Sequence, residues 1–483
     1  MRDLVRRAVQ RALAAGASYA DARAVVSRVQ EINTKNGAPE GLTDSTDQGI
    51  GVRVIAGGAW GFASTASPRL EDIDAVADRA VQIARASATL SRDGVEIGPA
   101  RPHRGEWSSS YQQDPFSVPL EKKLALLLEA DRVTREVIDV RVATGELKFV
   151  REEKWFVSSE GTDIVQTCVR SGGGIQAMAE GGGEVQRRSY PASFGGDHAN
   201  LGYEFVEQMD FVGHGRRIAE EAVALLSADQ CPPNITTLIL DGPHLALQVH
   251  ESCGHPTELD RVFGTERSFA GTSFLTTDKL DSFRYGSDIV NLYADATTPA
   301  AMGSFGYDDE GVPAQRVDLV KAGIFTGYLS SRETAARLGI QSGGAMRASG
   351  WNRIPLIRMT NVCLAPGDAS LEKMIRETDD GIYACTSKSW SIDDQRLNFQ
   401  FATEIGWEIK HGQLGRMLRN VSYQGVTPQF WGKCDAIAGQ DEWHAWGVLN
   451  CAKGEPMQVM WVGHGVAPAR FREVRVGVGS TAP

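Results

Sequence analysis

The sequence predicts an α+β fold, with two small mixed domains followed by a large, mostly antiparallel β domain. Three observations predict it. Amphipathic helical patterns alternate with β-branched segments up to about residue 230. Beyond residue 235, helical periodicity is scarce and short Val/Ile/Leu segments alternate with Gly, Asp and Asn. Within that β-rich region, one apolar helix carries a pair of histidines.

The first predicted domain covers residues 1–105. Its apolar residues recur at helical spacing before Gly16 and again after Pro68. The segments between them are rich in Val and Ile with partial alternation. The predicted elements are a helix over 4–15, strands over 21–32 and 49–55, and a second helix after Pro68.

The central predicted domain covers residues 115–230. Residues 98–119 carry four prolines and three consecutive serines, which is typical of a linker. Helices are predicted over 120–138 and 204–227, with glycine-punctuated strands between them. Two prolines at 232 and 233 end the second helix before an apolar strand. The third domain therefore covers residues 235–483.

Composition excludes several classes of protein. At 483 residues the chain exceeds the usual size of one hydrophobic core. A net charge of -11 argues against nucleic acid as a partner. No apolar run reaches the length of a membrane span, and the first residues lack a signal-peptide pattern. Seven scattered cysteines do not resemble a disulfide framework, so a cytoplasmic location is expected.

The chemical signal is the segment His250-Glu251-Ser252-Cys253-Gly254-His255 on a predicted helix. Two histidines beside a Glu resemble a zinc motif, but its usual spacing is i and i+4. At i and i+5 on a regular helix the rings would point about 140° apart. Gly254 tolerates left-handed geometry and Pro256 disfavours the α conformation before it, so the helix is predicted to end or to form a π-bulge there. Otherwise the segment is an ordinary helix end with a solvated Glu251.

The segment VHESCGHPTELD (249–260) strongly resembles the metal motif of the TldD/PmbA family of metallopeptidases. Three further segments resemble blocks of that family in the expected order, so the resemblance spans nearly the whole chain. These segments are GVRVIAGGAWGFAS (51–64), GSFGYDDEGVPAQRVDLVKAGIFTGYLSSRETAARLG (303–339) and RMTNVCLAPGD (358–368).

The resemblance implies one zinc ion per chain. His250 and His255 would be ligands, and Cys451, in the segment Asn450-Cys451-Ala452-Lys453-Gly454, matches the family's third ligand. A site with two nitrogens and one thiolate leaves a fourth position for water. Glu251 would be the general base that accepts a proton from that water. The complete motif is typical of the metal-bearing TldD branch of the family.

The resemblance also implies the partners. The substrates would be peptides or unfolded protein segments. The chain would form a homodimer, or a heterodimer with a metal-free family relative. The alternative function is a zinc-containing binding or modulator protein whose metal is structural. Closed structural sites have four protein ligands, whereas the sequence offers three persuasive ones, which favours catalysis.

Several residues keep more than one interpretation. By residue type, four others compete as metal ligands: Cys253, His244, His444 and His464. Glu258 and Asp260 could orient the histidines or could be ordinary surface acids. The acidic run Asp308 to Glu310 is assigned no metal, because such runs are more often solvated turns. The oxyanion stabiliser is not identified, although Tyr307, Arg347 and Tyr423 lie in segments that resemble family blocks.

Overall fold

The fold is α+β, as the sequence predicts. The structure is a computed structural model that describes residues 1–90, 94–268 and 271–477. The first half of the chain forms one sheet with helices on one of its faces. The second half forms a β-rich domain against the other face.

The sheet of the first half has the strand order β3-β2-β1-β5-β6-β4, and β7 and β8 both pair with β6. Its strands are β1 (Tyr19–Lys35), β2 (Ala38–Ala56), β3 (Ala59–Thr65), β4 (Arg104–Ser108), β5 (Val140–Ser158), β6 (Asp163–Gly181), β7 (Glu184–Tyr190) and β8 (Asp197–Ala199). Strand β1 of the first predicted domain pairs with β5 of the central predicted domain. We therefore call this sheet the shared sheet. Strands on either side of the boundary predicted at 105–115 thus belong to one sheet.

The helices of the first half follow the predicted pattern, except that one predicted helix is broken and the predicted linker contains a strand. They are α1 (Arg2–Ala14), α2 (Leu70–Ala88), α3 (Leu120–Arg135), α4 (Tyr203–Gln208) and α5 (Phe211–Ser227). The predicted helix over 204–227 is broken, because Asp210 adopts a left-handed conformation and its carboxylate accepts the Gly213 N–H. The predicted linker over 98–119 contains β4, which pairs in parallel with β6.

The helices cover one face of the shared sheet with apolar side chains. Residues of α1 and α2 form a core with every second residue of β1, Ala20, Ala22 and Ala24. Residues of α3 and α5 form a neighbouring core with β5 and β6. Because side chains alternate along a strand, the intervening residues of β1, β5 and β6 point to the opposite face.

The second half is built on a sheet of order β17-β10-β24-β20-β18-β19-β9, with β21 on β24, and on smaller sheets. Most neighbouring pairs are antiparallel. Its strands are β9 (Asp229–Gln230), β10 (Asn234–Leu240), β11 (Leu292–Asp295), β12 (Arg316–Lys321), β13 (Ile324–Phe325), β14 (Met346–Arg347), β15 (Leu356–Ile357), β16 (Val362–Leu364), β17 (Asp380–Ile392), β18 (Asn398–Lys410), β19 (Gln413–Arg419), β20 (Ser422–Val426), β21 (Cys434–Ile437), β22 (His444–Lys453), β23 (Gln458–Val466) and β24 (Ala469–Val476).

Short α-helices complete the described part of this domain. They are α6 (Gly242–Val249), α7 (Leu259–Val262), α8 (Arg332–Leu338), α9 (Leu371–Arg376) and α10 (Thr427–Gly432). Helix α6 and the hairpin of β22 and β23 contact each other and contribute to the large core of the domain. Among the described residues, no helix is both long and apolar enough to cross a bilayer.

Candidate metal centre

We call α6 together with the turn that follows it (residues 242–254) the motif helix, and its pitch changes at His250. The Asp241 carboxylate caps α6 by accepting the His244 N–H. Residues His250–Gly254 then form a π turn, in which the His255 N–H donates to the His250 carbonyl. A π turn brings residues i and i+5 onto one face, so the two imidazole centroids lie 4.8 Å apart. The predicted distortion is present.

Gly254 is needed for a different reason from the predicted one. Its φ of -73° is ordinary right-handed helix, not the left-handed region. A Cβ atom there would lie 2.2 Å from the Met359 sulfur. The glycine therefore permits close packing of the π turn against the chain before β16.

The structure brings His250, His255 and Cys451 together. One potential ligand atom from each lies within 4.8 Å of the others, and all three residues are buried. The Cys451 Sγ is 3.8 Å from the His255 Nε2. Cys451 lies on β22, so the cluster joins the motif helix to the C-terminal hairpin.

Hydrogen bonds behind each imidazole orient it. The His250 Nδ1 lies 2.8 Å from the His464 Nε2, and the His464 Nδ1 lies 2.9 Å from the Val362 carbonyl oxygen. A carbonyl only accepts, so the His464 Nδ1 must donate to it. Burial and the nearby His250 hold the pKa of His464 well below its usual range, which leaves its Nε2 as an acceptor. The His250 Nδ1 therefore donates, and its Nε2 lone pair faces the cluster.

The second imidazole is oriented in the same way. The His255 Nδ1 donates to the Glu258 Oε2 at 2.9 Å, which leaves the His255 Nε2 lone pair toward Cys451. Glu258 is fully buried, so the surface-acid interpretation of this residue is wrong. Asp260 is also buried and accepts from the Lys453 ammonium at 2.7 Å, one contact further from the histidines.

The surroundings of Cys451 favour the thiolate. Burial raises the pKa of the thiol, but Arg358 and the two histidines lower it, and the net pKa lies well below the usual range. The Arg358 guanidinium also donates to the Cys451 carbonyl oxygen. A thiolate is the form of cysteine that binds metals.

Glu251 faces the same cavity as the cluster and is held ionised. Burial raises the pKa of its carboxyl, but Arg396 and the two histidines lower it below the usual value. The Arg396 Nη1 donates to the Glu251 Oε2. Neither Arg396 nor Trp390, which also hydrogen-bonds Glu251, carries a sequence signal that could have identified it.

These groups line a cavity of about 200 Å³ between the β7–β8 connection and the motif helix. Its walls are largely apolar and aromatic. They include Phe194, Leu247, Trp390, Trp446 and Val448. Phe194 and Trp390 are in edge contact, with centroids 5.2 Å apart, and both are exposed at the cavity mouth.

The competing residues lie elsewhere or behind the cluster. Cys253 is buried against the Tyr285 hydroxyl at 3.2 Å. His244 contacts Ser387 and Tyr423, and His444 contacts Asp197. Only His464 among the four touches the cluster within the described residues, and it does so through the ring of His250. Its position could not be read from sequence, since it is 214 residues away.

The remaining candidates are also placed. Tyr423 is buried beside His244, whereas Tyr307 and Arg347 line a separate cavity. The acidic run is buried rather than a solvated turn, so that interpretation is wrong. Asp308 accepts three backbone N–H groups, Asp309 pairs with Lys154 at 2.9 Å, and Glu310 pairs with Arg53 at 3.2 Å.

Comparisons with known proteins cover nearly the whole chain. Three family models match in order: PmbA/TldA metallopeptidase domain 1 over residues 20–84, the central domain over 113–226 and the C-terminal domain over 234–477. A metalloprotease of Methanothermobacter thermautotrophicus is 29% identical over 95% of both chains. A zinc metalloprotease TldD homolog of Saccharolobus solfataricus is 24% identical over 87% of this chain and 88% of that protein.

The same fold occurs in a solved structure. TldE from Thermococcus kodakarensis superimposes with a TM-score of 0.73, at 17% identity, over 99% of both chains.

Proposed function

Because the chain belongs to the PmbA/TldA metallopeptidase family, we propose that it hydrolyses peptide bonds with one zinc ion held by His250, His255 and Cys451. The observation that carries this proposal is the convergence of these three buried donors in one cavity with Glu251. The substrates are peptides or unfolded protein segments.

The donor chemistry fits zinc. Two imidazole nitrogens and one thiolate are ligands that zinc accepts, and three protein ligands leave one position open. Because the Nδ1 atoms of His250 and His255 donate to His464 and Glu258, the two Nε2 atoms are the ones available to bind the metal. The name of the Saccharolobus solfataricus relative includes zinc, in agreement with this assignment.

The protein groups divide the chemistry between them. When bound, the zinc ion supplies Lewis-acid activation of water and of the scissile carbonyl. Glu251, ionised beside Arg396, accepts the proton of the attacking water and later transfers it to the leaving amine. Arg396 orients the carboxylate, and the apolar wall limits competing water.

We also propose that the chain works in the cytoplasm as a dimer. Its seven cysteines are free and buried, which suits a reducing compartment. The dimer is either a homodimer or a heterodimer with a metal-free relative of the same fold. The likeness to TldE shows that a second protein has this fold, which a heterodimer of two related subunits requires.

Metal removal is the direct test of this function. The purified protein is expected to contain one zinc ion per chain and to cleave an unfolded protein or a mixed peptide substrate. Treatment with a chelator should abolish cleavage, and added zinc should restore it. The measurements are metal content by mass spectrometry and cleavage by chromatography.

Folding is monitored in parallel by circular dichroism, because in the alternative, a binding or modulator protein, the zinc ion is structural and its removal would unfold the chain. A fully active, folded protein without any transition metal would refute the proposal. A protein that keeps one zinc yet cleaves none of a broad peptide library would favour the binding or modulator alternative.

A second prediction concerns His464, which accepts the His250 Nδ1–H. Replacing it with alanine should weaken zinc affinity by roughly 10–100-fold, because outer hydrogen-bond partners fix the ligand tautomer and ring orientation. Competition with a zinc-binding dye measures this. His444→Ala is the control, since that ring contacts Asp197 outside the cluster. Equal zinc affinity in the His464 variant and the wild type would show that this contact orients nothing.

A further inference from the structure

A second cavity, of about 260 Å³, lies between the shared sheet and the C-terminal domain. Its floor consists of alternate residues on four neighbouring strands. These are Ser45 and Asp47 on β2, Val25, Ser27 and Val29 on β1, Glu152 and Lys154 on β5, and Gln166, Cys168 and Arg170 on β6. Cross-strand pairs such as Ser27 with Glu152, and Glu152 with Cys168, confirm that they share one face. We call this cavity the sheet cavity.

The roof of the sheet cavity is rich in aromatic side chains. Its tryptophans are Trp351 and Trp461, and Trp107 on β4 closes one side. Phe305 and Tyr307 complete the aromatic lining. Flat apolar walls of this kind are typical of pockets that hold the body of an organic ligand.

Arg170 is the unusual residue of the sheet cavity. It is only 6% exposed, and its Nε and Nη1 atoms are buried without a hydrogen-bond partner. Among the described residues, no carboxylate forms an ion pair with its guanidinium, which lies over the Trp461 ring at 4.8 Å. A buried cation without a hydrogen-bonded partner is destabilising, so its presence needs an explanation.

The charges around Arg170 leave room for one anion. Lys154 is already paired with Asp309 at 2.9 Å, and the Arg347 Nη1 donates to the Met359 carbonyl oxygen. Burial, which is the largest cause, and the cations Arg170 and Arg358 lower the pKa of Arg347 to about 10, although Asp309 and Glu152 raise it. The three cations therefore repel one another beside this cavity, and Glu152 and Asp309 offset part of that repulsion.

The same walls select the kind of anion. Glu152 and Asp309 also line the cavity and would repel a dianion such as phosphate. A single carboxylate matches the fork of a guanidinium and carries only one charge. The remaining volume is apolar and aromatic, which suits a hydrocarbon or aromatic body attached to that carboxylate.

We propose that the sheet cavity binds an organic monocarboxylate with an apolar body, with Arg170 receiving the carboxylate and the tryptophan rings enclosing the body. The ligand is either a free carboxylic acid or the C-terminal carboxylate of a short peptide. This site is separate from the metal cluster, and its existence does not depend on the proposed peptidase activity.

Binding of 3-phenylpropionate and of its neutral isostere 3-phenylpropionamide tests the proposal. Neither contains a peptide bond that the enzyme could cleave. Titration calorimetry on the zinc-loaded protein is expected to detect the acid and not the amide. Arg170→Met should weaken binding of the acid by roughly tenfold or more, because a charge-assisted hydrogen bond is lost. Glu251→Gln, a change in the metal cavity, should bind the acid like the wild type.

The same variants separate a binding role from a structural one. Since Arg170 forms no ion pair within the described part of the chain and its Nε and Nη1 have no hydrogen-bond partner, Arg170→Met should keep or raise the melting temperature without ligand. Arg170→Lys keeps the charge without the fork and is expected to bind the acid more weakly than the wild type. In the Glu251→Gln background, a tetrapeptide ending in Phe is compared with its C-terminal amide. Binding of the tetrapeptide acid identifies the peptide source, and binding of 3-phenylpropionate alone identifies the free acid.

Three results would overturn the proposal. One is the absence of 3-phenylpropionate binding at millimolar concentration. Another is equal binding of the acid and the amide. The third is undiminished binding of the acid to the Arg170 variants.

Discussion

Replacing Glu251 with glutamine is expected to leave zinc content unchanged and to lower kcat by roughly 10²–10⁴-fold, the usual contribution of a general base. The amide keeps the size of the side chain and can still contact Arg396, but it cannot accept a proton at neutral pH. Glu251 faces the cavity without being one of the three clustered donors. The measurements are metal content and steady-state cleavage of the same peptide by variant and wild type.

Glu372→Gln is the control for loss of one carboxylate, because Glu372 lies on the surface in α9 and its carboxylate pairs with Arg376, away from the metal cavity. It should retain full activity. Loss of zinc together with loss of activity in the Glu251 variant would make Glu251 a ligand or a structural support instead of a base.

Replacing Cys451 with alanine is expected to weaken zinc affinity by more than the roughly 10–100-fold that loss of an orienting residue costs. Only the two imidazoles would remain as protein donors among the clustered residues. Because imidazoles become protonated as pH falls, the loss should be largest at lower pH. Zinc content after dialysis at pH 8 and at pH 6 measures the effect.

Cys253→Ala is the matched control, since Cys253 lies in the π turn between the two histidines and is as buried as Cys451. Its thiol contacts Tyr285 rather than the cluster, so this variant should keep near-normal zinc content. Zinc that survives the loss of Cys451 but disappears with Cys253 would contradict the proposed ligand set.

The motif helix illustrates how far sequence reasoning reaches. The i and i+5 spacing together with Gly254 and Pro256 predicts a local distortion, and the π turn is present. The steric reason why residue 254 must be glycine was not predictable from the sequence. It depends on Met359, which lies 105 residues later and reaches the turn only through tertiary packing. Local sequence reports local backbone geometry, and it carries no signal for such contacts.

In the overall fold, too, the sequence predicted local elements but not the contacts between distant segments. Amphipathic periodicity predicts α1, α2 and α3 closely, because each helix buries one face against a sheet. The pairing of β1 with β5 joins segments more than 100 residues apart, so the shared sheet was not predicted. Strand β4 is short and interrupted by glycine, which hides it within a proline-rich segment.

The groups that support the predicted site were hidden for the same reason. His464 and Arg396 reach the cluster from strands or turns that carry no motif of their own. Arg358 begins the segment 358–368 that resembles a family block, but the sequence does not show that it contacts Cys451. The burial of Glu258 and Asp260 likewise depends on Lys453, which lies on β22. Residue type and spacing predicted the donors, and only the fold identifies what orients them.

X-ray absorption at the zinc edge of the purified protein tests the central claim most directly, because it counts the ligands of the metal. We predict one sulfur at about 2.3 Å and nitrogen or oxygen ligands at about 2.0 Å, with imidazole scattering from two histidines and one exchangeable oxygen ligand. The sulfur should disappear in Cys451→Ala. A closed site of four protein ligands, or one with two sulfurs, would contradict a catalytic metal held by His250, His255 and Cys451.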